Sequence, residues 1–171
     1  VEGLAAVAEL VGAPVVSSSA RMNLPTNHPL WGGISPNPYL PDADVILIID
    51  CDVPYIPAQA KPAPEAKIHW IDMDPAKYSI PLFTFPADSR ILADTGKALP
   101  TLAELLKEAI SAEDKVEIEK RSQAFALQHK ERRDDRQKAA AALSTQKPIA
   151  VDWLTHCINE AIGPGTLILD E

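Results

Sequence analysis

Two apolar runs in this chain end in acids. Asp44-Val45-Ile46-Leu47-Ile48-Ile49-Asp50 is followed by Cys51 and Asp52, and Lys67-Ile68-His69-Trp70-Ile71-Asp72 by Met73, Asp74 and Pro75. If both runs are strands of one parallel sheet, their carboxylates meet on the C-terminal rim, where open α/β sheets bind ligands. Asp72 and Asp74 are two positions apart, so strand alternation puts them on one side, within reach of a ribose. Capping the turn ahead of Pro75 is the simpler reading of the same spacing. Asp50-Cys51-Asp52 could recruit a cation through its carboxylates; no further acids converge on it in sequence, and solvation in a loop is the simpler reading. Cys51 has no neighbouring His or Lys to stabilise a thiolate, which argues against a nucleophile. His28, His69, His129 and His156 lack metal-ligand spacing, and the chain has no Gly-x-Gly-x-x-Gly or phosphate loop. Gly32-Gly33 reads as a turn.

The elements that must hold these residues follow from pattern. A short, β-branched, unbroken apolar run is the signature of a strand buried on both faces. Trp70, inside the second run, reads as core and not as a stacking platform. Residues 1–11 have helical periodicity, with Leu4, Val7, Ala8 and Val11 on one face, Gly12 where a C-terminal cap belongs and Pro14 beyond it. No capping side chain precedes Val1, so we expect the chain to begin inside an element, as a cut fragment would. Residues 14–18 and 90–93 read as short strands, and residues 21–41 as loop. Residues 95–110 read as a helix with Asp94 as N-cap and Leu99, Leu102, Leu105 and Leu106 on its apolar face. Residues 113–143 favour helix but are charged through 128–138, which predicts a lightly held linker helix. Residues 147–162 predict a helix with Ile149, Trp153, Cys157 and Ile162 as its stripe, and residues 166–170 a strand. Strands alternating with helices give an α/β class, a Rossmann-like parallel sheet with helices on both faces plus the linker helix.

Composition excludes several function classes. The chain has 171 residues, enough for a sizeable core, and 46% of them are hydrophobic. Sixteen basic against 24 acidic residues leave a net charge of −8, which argues against nucleic acid or an anionic membrane as partner. No apolar run approaches the roughly 20 residues of a membrane span. The two cysteines form no redox or metal pair, so a reducing, cytoplasmic setting is expected. Sixteen prolines against seven glycines make the loops stiff.

The order of motifs resembles a known family. "LAAVAELVGAPVV", "LPTNHPLWGG", "DADVILIID", "KIHWIDMDP" and "ILADTGKALPTLAELL" follow one another as in the central domain of thiamine-diphosphate-dependent enzymes of the acetolactate synthase type. The resemblance covers about residues 1–110, and residues 147–171 are similar to the start of that family's C-terminal diphosphate-binding domain. It implies a central domain at 1–111 lacking its first strand, a linker at 112–146 and the beginning of a further domain at 147–171. In the family, the N-terminal domain carries the glutamate that activates the aminopyrimidine, and the C-terminal domain binds the diphosphate through Mg²⁺ and a Gly-Asp-Gly…Asn motif. Neither feature occurs here, so the resemblance implies no catalytic residue and no thiamine diphosphate or Mg²⁺ bound by this chain, although both belong to the parent lyase or transferase. His28 matches the family's His-Pro-Leu and is expected to structure its loop.

Some family central domains bind FAD or ADP at the strand rim. Asp72 and Asp74 match the Ile-Asp-x-Asp-Pro motif there, and Asp94 matches a Gly-Asp whose glycine is Ala93 in this chain. Asp50 stands where many members have a glycine, and residues 51–59 contain no basic side chain. An acid in place of a glycine repels phosphate, so FAD and ADP are not expected. Two readings follow. One is a non-catalytic scaffold domain of an enzyme acting on 2-oxo acids or related carbonyl compounds, partnered by its own flanking domains and by further copies of itself. The other is a free-standing nucleotide-binding or regulatory module of Rossmann-like shape. Flanking cofactor domains in the parent reading frame would decide for the first.

Overall fold

The structure, a computed structural model, describes residues 1–18, 23–80, 85–163 and 165–167. Along them run α1 (Glu2–Val11), β1 (Val15–Val16), β2 (Trp31–Gly33), a 3-10 turn (Leu40–Asp42), β3 (Val45–Ile49), β4 (Lys67–Asp72), β5 (Ser89–Leu92), α2 (Thr95–Ala109), α3 (Ala112–Ala142) and α4 (Val151–Ala161). Every strand pair among the described residues is parallel: β1 with β2 in one small sheet, and β3, β4, β5 in that order in another. This is the expected Rossmann-like α/β class. The chain divides into two compact units, Val1–Ala126 and Leu127–Glu171.

In the first unit, β3 and β4 pair with Ile46 opposite Ile68 and Ile48 opposite Trp70. Alternation then sends Leu47 and Ile49 to one face, where they pack against Val7 of α1 and Leu99 and Ala103 of α2. Ile46, Ile48, Ile68 and Trp70 form the other face with Phe85 and Ala87. Between β3 and β4 that face is covered by a proline-rich crossover in place of a helix. Pro54, Pro57, Pro62 and Pro64 remove the donors a helix would need. Leu105, expected on the apolar face of α2, is 58% exposed, and Ala103 takes the buried position. Gly32 and Gly33 are not a turn but part of β2. A Cβ on Gly32 would lie 3.1 Å from the Val15 carbonyl oxygen, so glycine is what lets β2 approach β1.

The first turns of α3 are held more firmly than their polarity suggests. Gly12 ends α1 in the left-handed region (φ 61, ψ 38), with its N–H and that of Ala13 both donating to Ala8 O. Arg121 then donates from Nε to Gly12 O at 3.2 Å and from Nη2 to Val11 O, satisfying the carbonyls left over at the end of α1. Phe125 meets the Tyr39 ring edge-on at 6.2 Å, and the Tyr39 hydroxyl donates to Gly32 O at 3.0 Å.

In the second unit, α4 starts at Val151, four residues later than expected, and none of its residues is fully buried. Ile149 of the expected stripe is exposed, while Trp153, Cys157 and Ile162 are half-buried. The strand expected over residues 166–170 falls largely outside the described residues, and Thr166 and Leu167 are not in a strand. No helix among the described residues is long and apolar enough to cross a membrane.

Gly12→Ala should cost about 2–3 kcal/mol. A Cβ there would sit 2.7 Å from Ile118 O and 2.6 Å from Ser122 Oγ, in a backbone conformation that L side chains resist. Gly163→Ala, which meets nothing within 4 Å, should change stability by less than about 0.5 kcal/mol; urea denaturation of the two variants checks this. Hydrogen exchange should find residues 128–138, of which only His129 is buried, opening more readily than β3.

Candidate functional site

The C-terminal ends of β3 and β4 do form a rim, and the sequence of events after each strand explains its shape. Beyond β3 the chain turns at Asp50, a non-glycine residue at φ 45. Aspartate tolerates this region because its short side chain can bond locally. The Asp50 N–H still donates to Ile71 O at 3.1 Å, extending the ladder by one bond. Beyond β4, Asp72 Oδ1 accepts the Asp74 N–H at 2.8 Å, and Asp74 Oδ1 accepts the Lys77 N–H at 3.0 Å. Both acids therefore cap the turn that carries Pro75, the second of the two roles their spacing allowed.

Lys77 is the residue the sequence reading missed. Its side chain is only 8% exposed, its φ is 52, and its ammonium donates to Asp72 Oδ2 at 2.5 Å and pairs with Asp52 at 2.8 Å. It ties the turn after β3 to the turn after β4. Burial by itself pushes the Asp72 carboxyl up, but the Lys77 ammonium, the Asp74 N–H and the Trp70 indole together hold it below the usual carboxylate range. Burial likewise pulls the Lys77 ammonium down, and Asp52 and Asp72 more than reverse this, so it stays protonated above the usual lysine range. The Asp-x-Asp-Pro-x-Lys spacing was a usable signal, since a basic residue one turn after capping acids can fold back onto them.

Asp94 lies just past this pair, joined to it through the Ala93 N–H donating to Asp72 O at 3.0 Å. It is the N-cap of α2, its Oδ1 accepting the Gly96 N–H at 2.9 Å. Thr95 Oγ1 donates to Asp50 Oδ2, which places a second carboxylate at the head of the same helix. The Ser18 hydroxyl and the Cys51 thiol lie 2.8 Å apart. His28 structures its loop: Nδ1 accepts the Leu30 N–H and Nε2 meets Glu9, both at 3.1 Å.

The arrangement suits positioning better than chemistry. The charges at the rim are Asp50, Asp52, Asp72, Asp74 and Asp94 against Lys77, whose ammonium is already shared by two of the acids. A diphosphate brought here would meet carboxylates at close range, so the residues present do not fit thiamine diphosphate or an adenine dinucleotide. Among the described residues, no group of three or more His, Cys, Asp or Glu side chains is placed to hold a metal ion. No family model matches the chain, and no curated protein matches it.

Asp72→Asn should destabilise the fold by about 1–3 kcal/mol at neutral pH, because it leaves Lys77 with Asp52 alone. The Asp72 carboxyl titrates lower folded than unfolded. Its contribution is therefore complete above the usual carboxylate range and lost as pH falls through the depressed folded value. The difference between the native chain and the variant should accordingly narrow as denaturation is measured from pH 6 down to about 3.

Proposed function

We propose that this chain is the non-catalytic central domain of a thiamine-diphosphate-dependent enzyme of the acetolactate synthase type, joined to the opening of its C-terminal cofactor domain. The parent would act on 2-oxo acids or related carbonyl compounds. The observation that carries the scaffold reading over a nucleotide-binding one is the head of α2. A helix N-terminus facing a strand rim is a ready anion site, and here the chain's own Asp94 accepts its Gly96 N–H while Asp50 adds a second carboxylate through the Thr95 hydroxyl. The positive φ of Asp50 adds support, since this is the place where the family's frequent glycine would be at ease.

Partners in this reading are the flanking domains of the same protein and further copies of it, in the cytoplasm. The strand edges support this. β3 consists of five successive aliphatic residues, a composition suited to the middle of a sheet. Among the described residues it pairs only with β4, β1 pairs only with β2, and Val45 is 57% exposed. A further strand between β3 and β1 would satisfy both edges.

Thermal unfolding and calorimetric titration of the chain test the proposal. Thiamine diphosphate with Mg²⁺ should leave the melting temperature unchanged, because a ligand held only by the folded state would raise stability by RT ln(1 + [L]/Kd). FAD and ADP should show no micromolar binding. A saturable rise with thiamine diphosphate would place cofactor chemistry in this chain, and micromolar nucleotide binding lost in Asp72→Ala or Asp74→Ala would favour the nucleotide module.

A further inference from the structure

Away from the rim, the proline-rich crossover and the residues leading into β5 enclose a cleft of 860 Å³. That volume lies within the range of small-molecule sites, which are typically about 300–1,000 Å³ and mostly apolar with a few polar groups. The walls come from stiff or well-packed residues: Pro57, Pro62, Ile68 and Phe85, with Tyr55 set edge-on to Phe85 at 5.1 Å.

Two polar features of the cleft have no hydrogen-bond or ion-pair partner among the described residues. Tyr55 is only 6% exposed, yet its hydroxyl has no hydrogen-bond partner among the described residues. Burial also raises the Tyr55 pKa, so the hydroxyl is a donor throughout the neutral range. Lys61 also lines the cleft, is exposed, and makes no ion pair among the described residues. Lys67 is there too, paired with Asp88 at 3.2 Å, an acid that also accepts the Ile68 N–H. Two lysines against one aspartate make the cleft locally cationic in a chain of net charge −8.

We propose that this cleft binds a small apolar monocarboxylate, its hydrocarbon or aromatic body against Tyr55, Ile68 and Phe85 and its carboxylate drawn to Lys61 and hydrogen-bonded by the Tyr55 hydroxyl. The single unpaired lysine matches one negative charge. A polyphosphate would need more cations than the cleft offers, and an organic cation would be repelled.

Isothermal titration of the full chain with 2-naphthoate, against its neutral isostere 2-naphthalenemethanol, tests this. Naphthoate should bind one-to-one with Kd below about 1 mM, and the alcohol more weakly. Lys61→Ala should weaken naphthoate about fivefold and leave the alcohol unchanged. Tyr55→Phe should weaken naphthoate by a similar factor, and Ala63→Trp, which fills the cleft, should abolish binding of both. Absence of saturation by naphthoate overturns the proposal. Naphthoate and alcohol binding equally, with Lys61→Ala indifferent, overturns the carboxylate assignment, and undiminished binding in a folded Ala63→Trp overturns the location. If Ala63→Trp does not fold, the Lys61 and Tyr55 variants decide alone, since each removes only a polar group without a partner among the described residues.

Discussion

Trp70 is fully buried opposite Ile48, and the register between β3 and β4 that this pair belongs to sets where every side chain at the rim lies. A one-residue slip would turn Trp70 toward the helices and Ile71 toward the crossover. It would also carry Asp72 to the opposite face, away from Lys77. The indole is held from several sides: Phe85 at 6.5 Å, and Arg90 at 5.1 Å above its ring, with the guanidinium in turn bonded to the Pro75 and Phe85 carbonyls. Arg90 therefore links the buried aromatic to the loop after β4 and to the approach of β5.

At the rim, the acids that could meet a ligand are bonded to the chain's own backbone. Each carboxylate is drawn to a donor supplied by the next turn of chain: Asp72 to Asp74 N–H, Asp74 to Lys77 N–H, Asp94 to Gly96 N–H. Local donors are favoured because closing a turn of a few residues costs little entropy. Among the described residues, the two non-glycine positive φ values are at Asp50, just after β3, and at Lys77, in the turn after β4. Strain there is tolerated because surrounding bonds over-determine the backbone. Lys77 is worth most in this network as a buried charge between two acids. Neutral partners could not compensate its desolvation.

On the other side of the sheet the physics is different. A crossover rich in prolines cannot fold as a helix and packs irregularly, so it leaves space beside Ile68 and Phe85 that a helix would have filled with side chains. Rim and cleft therefore arise from the same strands by opposite means. Hydrogen-bonding side chains close the rim, and stiff backbone keeps the cleft open.

The apolar runs of β3 and β4, the helix face of α1 and that of α2 apart from Leu105, the Asp94 cap and the Gly12 stop were legible in the sequence, because each depends on neighbours within a few residues. The capping role of Asp72 and Asp74 was legible for the same reason, although strand alternation also allowed contact with a ribose. Tertiary structure alone decided the rest. Lys77 is paired with Asp52, 25 positions earlier, and no periodicity announces such a contact. Arg121 reaches α1 across more than 100 residues, which is how a helix that looks polar all round is anchored at its start. Gly32 and Gly33 look like a turn by composition, yet become strand: β1 and Tyr39 come close enough to Gly32 to need its missing side chain, and Gly33 takes a positive φ of 98. Local pattern determines which segments are strands and helices. The meeting of distant segments determines which charges are neutralised and which hydroxyl or ammonium is left facing open space.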